Sequence, residues 1–555
     1  MLGQNIGINA NGAAPHVSAL LDIDASAIAG TKRGLLIPRV TTAERTAIAT
    51  PATGLLVFDT TTNGFWYYNG TVWTSLINTA GGWSTAGNAG TVAGTNFVGT
   101  TDNIAFEVRM NNERAGFVSG GTNTSWGHRA LMASTGTSNT AIGKNALTTN
   151  TNGASNTAVG NSALLTNTTG GQNTAVGSQA LNLNLNTSNN TAVGFRALNV
   201  TISGDNTAVG SEAMLFNGLG TDNTAVGSDA LRINALGSGN TAVGSSALYT
   251  NTAQGNTAMG VTALYANTTG IYNVAIGAEA LEDNTIGGDN TAVGAFALWN
   301  NTSGVNNTAV GFQAMGVNST VTADYNTAMG YQAGIGLSNQ NYNTFMGFQA
   351  GLNPCSNGTL IGADITQNAN TYTNISALGY GTVVDGSNRI RLGNTAITSI
   401  GGYAGWTTLP SDARFKKNVR EDVGGLDFIL RLRPVTYNVD VQKLVDHLGE
   451  DLKTDSLGNT VLREQNAELI AARKEKAAIR YTGFIAQEVD SAAKASGYDF
   501  SGVDKATDSE RMLGLRYAEF VVPLVKGMQE QHSIIQEQRA LIQELRERVL
   551  RLEAR

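Results

Sequence analysis

The pentapeptide Asn-Thr-Ala-Val-Gly, or a variant with Ile or Met before the glycine, recurs down the middle of this chain. Its glycine falls at 143, 160, 177, 194, 210, 227, 244, 260, 277, 294, 311 and 330, with two variants at 347 and 362. The usual step is 17 residues. That period is too short for a pair of packed helices and fits one turn of a β-solenoid. In each unit, strand alternation sends Ala to one face and Thr and Val to the other, and Gly takes a corner at positive φ that a Cβ would obstruct. Ala-Leu or Ala-Met follows three positions after most of these glycines, as in Ala163-Leu164, Ala230-Leu231 and Ala314-Met315. It predicts a second strand whose Leu or Met fills the interior. The Asn side chains are expected to stack in ladders and to satisfy turn backbone groups from coil to coil. One thin coil buries little apolar area, so stacking, joined by pairing with neighbouring chains, is expected to supply the core. Thirteen or so coils at about 4.8 Å each predict a rod of about 60 Å.

Composition agrees with an extended repeat. Of 555 residues, 67 are Gly and only 7 are Pro, and charged residues make up 14%, a balance unlike that of a compact enzyme. A net charge of −7 without a basic run in the body argues against a nucleic-acid partner. The single cysteine, Cys355, excludes an intrachain disulfide framework. His16, His128, His447 and His532 are scattered without ligand spacing, so no metal site and no cofactor are read. The opening residues carry no basic and apolar signal segment, and nothing approaches the roughly eighteen apolar residues of a membrane span, so no membrane insertion is read. Glycan cleavage needs paired carboxylates in a cleft. The acids of the body, such as Glu212, Asp229, Glu279, Glu282 and Asp283, are sparse and read as solvated turn residues. Late in the array, aromatic residues gather at Phe296, Trp299, Phe312, Tyr325, Tyr331, Tyr342, Phe345 and Phe348. They read either as a platform on which sugars stack or as rings that widen and cap the coil, and the second reading is preferred.

Ahead of the array, 1–78 alternates apolar runs with turn residues. Strands are expected at 18–24, 34–39, 54–59, 64–68 and 71–76, forming a small β-meander; the unit resembles the N-terminal part of fibre proteins, which implies that it faces the attachment point. Asn63-Gly64 and Asn69-Gly70 predict two-residue type I′ hairpins, and 41–48 predicts a short capped helix. Residues 79–125 read as a β linker, 126–362 as the array, and 363–410 as a β stalk.

Composition then changes abruptly. Residues 1–410 hold 12 Lys+Arg and 18 Asp+Glu, whereas the 145 residues from Ser411 hold 23 and 24. This charge-rich tail, 411–555, predicts helices at 422–432 and 466–479, a strand at 434–439, and a strand-to-helix element from Gly483. Its end, from about 517, is a heptad with Val521, Met528, Ile535, Ile542 and Val549 at a and Leu524, Gln531, Gln538, Leu545 and Leu552 at d. That pattern does not by itself choose between two and three strands.

Three blocks in order, Ser411-Asp412-x-Arg414-x-Lys416, Leu432-Arg433-Pro434-Val435-x-Tyr437 and Gly483-Phe-Ile-Ala-Gln-Glu488-Val489, give the tail a specific likeness. It resembles the endosialidase-type intramolecular chaperone, found at the C-terminus of trimeric phage tail fibres and tailspikes. The resemblance implies a trimer, and it implies autoproteolysis by a Ser/Lys dyad. Ser411 and Lys416 take those roles here, with cleavage between Pro410 and Ser411. The competing reading of Ser-Asp before a basic segment is an ordinary helix N-cap. The array resembles the head repeats of trimeric autotransporter adhesins, whose units are shorter and lack the Ala-Leu step.

The chain is therefore expected to be mainly β: a trimeric β-solenoid or β-roll fibre with an N-terminal β-meander and a C-terminal α+β chaperone ending in a trimeric coiled coil. As implied by the resemblance, it is a homotrimeric fibre of a phage tail or phage-like contractile injection system. Its partners would be baseplate or tail proteins and a host cell-surface glycan or protein receptor, and its place an extracellular particle. The alternative is a secreted or surface-anchored bacterial adhesin, and a glycan-degrading tailspike ranks below both.

Overall fold

A computed structural model describes residues 6–15, 19, 21–24, 29–30, 34–76, 89, 91–92, 95, 97–120, 122–316, 320–353, 355–368, 372–403, 411–454, 460–462, 467–505 and 512–554. The chain forms two units, Met1–Asp102 and Asn103–Arg555.

In the first unit, Ile6–Asn9 pairs in parallel with Leu21–Asp24. A four-stranded sheet follows from Arg39–Val40, Leu56–Asp59, Gly64–Tyr68 and Trp73–Ser75. The run 34–39 is extended but not a strand until Arg39. The helix Thr42–Ala47 begins at a capping box in which Thr41 and Glu44 bond reciprocally. Both expected tight hairpins are four-residue loops instead, for one reason. Asp59 Oδ1 accepts the backbone N–H groups of Thr61 and Thr62, and Asn69 Oδ1 accepts those of Thr71 and Val72. These side-chain turns satisfy the loop donors before Asn-Gly can close a type I′ turn.

Asp59 is also the polar centre of this unit. It is fully buried, takes a 2.8 Å bond from Arg45 Nε and another from the Thr42 hydroxyl, and the Arg45 guanidinium lies 3.7 Å from the Trp66 ring centre. Burial alone pushes the Asp59 carboxyl up, but the bonds from Thr42, Thr62, Arg45 and Thr61 outweigh it and hold the pKa at about 2, below the ordinary 3.8. A depressed carboxyl stabilises the folded state above its unfolded pKa, and that contribution is lost as pH falls through the folded value. The unit should therefore keep this stabilisation above about pH 4 and lose it toward pH 2. Thermal unfolding against pH checks this, and Asp59→Asn should flatten the profile over that window.

In the second unit, the hairpin Phe106–Met110 and Glu113–Val118 pairs antiparallel onto Asn123–Trp126 and so covers the first edge of a parallel ladder. From Asn123–Trp126 the ladder rises in register through every repeat, Thr157↔Thr174, Thr174↔Thr191 and onward, to Arg389–Leu392. Counted along the pairings, seventeen strands stack, a rod of about 77 Å at about 4.8 Å per step. This is longer than the sequence estimate, because Thr373–Leu378 and Arg389–Leu392, in the stretch read as a stalk, continue the same ladder.

The repeat explains the coil residue by residue. Ala158, Ala175 and Ala192 point inward and are fully buried, while the Thr and Val beside them face outward. At the corner, Gly160 has φ +137°, and a Cβ on it would lie 2.4 Å from the Gly177 carbonyl oxygen of the next coil. Ala163 and Leu164 are both fully buried as well. A strand would send these adjacent side chains to opposite faces, so the expected second strand here is a turn, with Leu164 at φ 49°. Among the described residues six coils do carry a second short strand further on, Val200–Thr201, Phe216–Asn217, Ile233–Asn234 and Thr250–Asn251 in one run and Thr366–Gln367 with Val383–Val384 in another. Because Ala, Leu and Met at these positions have no exposure in one chain, the core closes by stacking alone. Pairing with neighbouring chains is not needed to bury it.

Two asparagine ladders run beside that core. In the first, Asn223 Nδ2 donates to Asn206 Oδ1 at 3.1 Å and to the Gly237 carbonyl at 2.9 Å, and Asn223 Oδ1 accepts the Asn240 backbone N–H at 3.0 Å. In the second, Asn234 Nδ2 donates to Asn217 Oδ1 at 2.7 Å, and Asn284 repeats this to Asn267 at 2.8 Å. Thr201 and Ser203 interrupt the second ladder and replace its amide with hydroxyls, Ser203 Oγ accepting from Asn217 Nδ2 at 2.8 Å. Asn223→Ala should leave the buried Asn240 N–H without its acceptor and cost about 1–3 kcal/mol. Urea unfolding of the purified variant checks this.

The tail adds a small α+β layer. Phe428, Val489, Phe500 and Phe520 form its core, and Val435–Tyr437 pairs antiparallel with Tyr481–Gly483. The helices Leu426–Arg431, Ala467–Ala478 and Ala486–Ala495 fall where their sequence periods placed them. Missed from sequence were the helix Val441–Leu448 and the hairpin of Leu452–Thr454 with Thr460–Leu462. The last helix, Val521–Glu553, buries Pro523 and Gly527 and uses Glu530 to accept the Leu426 N–H at 2.6 Å. Its apolar heptad residues Met528, Ile542, Leu545 and Leu552 stay at least half exposed in the single chain.

Candidate functional site

The segment from Ser411 turns sharply. Asp412 Oδ1 accepts the Arg414 N–H at 2.9 Å and caps a 3-10 turn, Ala413–Phe415, whose C-terminal cap is Lys416. That turn returns Lys416 toward Ser411, and Lys416 Nζ donates to Ser411 Oγ at 3.4 Å. Five residues of continuous α-helix would have placed the two on different faces. The helix-cap reading of this segment belongs to Asp412, not Ser411, so the Ser411 hydroxyl is left to the lysine. Arg414 holds the Asp412 carboxylate through Nε and Nη2, and these bonds, with the Arg414 N–H, keep the Asp412 carboxyl below its ordinary value. Ser411, Lys416 and Lys417 all lie exposed on the single chain. Pro410 lies outside the described residues.

The other two sequence blocks meet in space. Arg433 Nε bonds Glu488 Oε2 at 3.0 Å, and its Nη2 bonds the other carboxylate oxygen. Val435 lies opposite Gly483 in the strand pair, with the Tyr437 and Tyr481 rings stacked 5.9 Å apart. Glycine at 483 has a steric cause: a Cβ there would lie 2.2 Å from the Tyr517 hydroxyl, which accepts the Phe484 N–H at 3.0 Å. Thus blocks some fifty residues apart build one strand, one ion pair and one aromatic cluster.

This convergence agrees with the comparison of the tail with known families. Residues 411–498 match the family described as chaperone of endosialidase. A second match lies at the other end of the chain, where 7–92 fit the phage tail like trimerisation region. No curated protein matches the chain. The two matched regions, on either side of a β-solenoid body, support a trimeric fibre or adhesin and a component of an extracellular particle. Sequence reading places chain association in the array and the tail and gives the N-terminal region an attachment role only. Among the described residues no helix is long and apolar enough to cross a membrane.

The aromatic run is a second candidate site, and its geometry bears on both readings. Phe312, Tyr331 and Phe348 stack face to face along successive coils, 5.4 Å and 5.3 Å apart with ring planes within 14° and 9°. Tyr325 and Tyr342 do the same at 5.2 Å and 6°. Sugars stack on ring faces, and here the faces between neighbouring rings are covered, leaving ring edges and the outer faces of the end rings to solvent. The widening and capping explanation also needs correction: only Phe345 of this group is buried in the coil, and the stacked rings lie outside it. They act as rungs that tie coil to coil.

Three of the body acids, Glu212, Asp229 and Glu282, are paired rather than free turn residues. Glu212 bonds Arg196 at 2.8 Å and Arg232 at 2.5 Å, and Arg232 reaches Asp229 at 3.0 Å. Glu282 accepts from the Trp299 indole at 2.7 Å.

Proposed function

We propose that the chain is a homotrimeric receptor-binding fibre of a phage tail or phage-like injection machine, folded and registered by its tail, which then cuts itself free at Ser411. The observation that carries the reading is the pairing of a chaperone-matched tail holding Ser411 and Lys416 in contact with a solenoid body that ends just before it. Trimer formation is supported by the N-terminal match and by apolar surface left uncovered in one chain. The outward strand position is Val209, Val226, Met259, Ile276, Met329 and Met346 on one line up the rod, each more than a third exposed. The unpartnered heptad of the last helix supports a coiled coil, and the match to a trimerisation region favours three strands for it.

In the cut, neutral Lys416 Nζ accepts the proton of Ser411 Oγ as that oxygen adds to the carbonyl carbon of Pro410. The C–N bond to Ser411 then breaks, its nitrogen takes up a proton and leaves as the new amino terminus, and water hydrolyses the resulting ester. A lysine acts as base only when its amine is uncharged, which burial favours. Both groups are exposed on the isolated chain. The reading therefore ties cleavage to assembly, with neighbouring chains supplying the cover.

Receptor recognition is tested by incubating the purified protein with host cells and host-derived glycans. Retention without new reducing ends supports a binding fibre. New reducing ends, lost when Glu279 and Glu282 are replaced, would make it a tailspike enzyme. The second reading, a bacterial surface adhesin, draws on the same solenoid and would show as retention on the producing cell's own surface.

A further inference from the structure

Body and tail meet at a buried, charged contact. The helix Val441–Leu448 is capped by Asp440 and ends at Gly449, whose left-handed φ of 67° turns the chain so that Glu450 follows directly. Glu450 takes a 2.9 Å bond from the Thr395 backbone N–H and a 2.6 Å bond from its hydroxyl, just beyond the last strand of the solenoid. From behind, Arg473 Nη2 reaches the same carboxylate at 3.1 Å while its Nη1 holds Asp451 at 2.8 Å. Thr395, Glu450 and Arg473 are each more than nine-tenths buried. Beside them Lys476 Nζ donates to the Ile397 carbonyl at 2.7 Å. The adjoining seam opens to solvent. It holds a cavity of about 390 Å³ between Leu352, Asn353 and Gln367 of the body and His447 and Leu448 of the tail, and the buried Gln367 Oε1 has no hydrogen-bond partner.

We propose that Glu450 is the latch by which the tail holds the finished end of the solenoid, so that a break before Ser411 leaves the tail attached until this carboxylate lets go. The Thr395 N–H and hydroxyl are brought into this pose by the chain leaving the completed last coil, so the same carboxylate also recognises a body that has folded to its end. An open, polar seam makes the contact separable, while one desolvated carboxylate with three donors makes it slow to separate.

The proposal takes the position of the break from the function proposed above, and its test does not depend on self-cleavage. A Ser411→Ala chain carrying a recognition sequence for an added protease within 404–410 is cut by that protease and passed over a sizing column at moderate salt. Body and tail should elute together. Adding Glu450→Ala, which leaves Arg473 buried without this partner, should speed tail loss by about thirtyfold or more. Thr395→Val, a change confined to the body, should speed it to a smaller degree, and it stands in for Glu450→Ala if that variant fails to fold. Immediate separation with Glu450 intact, or equal retention in Glu450→Ala and Thr395→Val, would overturn the latch. A parent chain that never cuts itself counts against the dyad alone.

Discussion

Ser411→Ala should remain a single chain on a denaturing gel, whereas the parent separates into a body of about 41 kDa and a tail of about 16 kDa. In the proposed cut the hydroxyl is the nucleophile, so its loss should stop the reaction altogether. Lys416→Ala should behave like Ser411→Ala, since Lys416 is the amine that the 3-10 turn brings to Ser411 Oγ. Lys417→Ala should cut normally. Asp412→Ala should slow the cut without abolishing it, as the Arg414 N–H loses its acceptor and the turn loosens. Cleavage in Ser411→Ala at the parental rate, or release at another bond, would defeat the assignment.

Removing 411–555 should be nearly as severe for assembly. In-register parallel stacking over seventeen coils is slow and non-local, and partly stacked coils expose unpaired strand edges. The match to a trimerisation region lies at 7–92, at the other end of the sequence from the last strand. The last strand, Arg389–Leu392, pairs on one side only, and without the tail the chain just beyond it loses the contacts to Glu450 and Lys476. Expression of 1–410 alone should lower the yield of soluble trimer about tenfold or more, with aggregates in its place. Soluble trimer at the parental yield would remove the chaperone role.

How much of this was legible in the sequence depended on whether a signal was local. The 17-residue step, the inward Ala, the corner Gly and the Asn ladders follow from strand alternation and turn chemistry within one repeat, and they are in the fold as read. The Ala-Leu step was misread because alternation was extended one element too far. Leu164 at φ 49° is a conformation that β-branched or bulky residues seldom take, and only stacking against identical coils enforces it. The two hairpin loops were misread because Asn-Gly was scored without the side chains of Asp59 and Asn69 competing for the same donors. At the site, only family likeness made Ser411 and Lys416 legible as a pair, and the structure brings their side chains together. Asp412 as the cap was not, since Ser and Asp are equivalent candidates until the backbone is known. The ion pair of Arg433 with Glu488 and the Glu450 contact join residues about fifty apart, and nothing in either local sequence names the partner.

The most direct test of the whole account is the native mass of the purified protein, measured by light scattering during size-exclusion chromatography. Three chains per particle are predicted, for the self-cleaved form and for intact Ser411→Ala alike. A stable particle of one or two chains would contradict it.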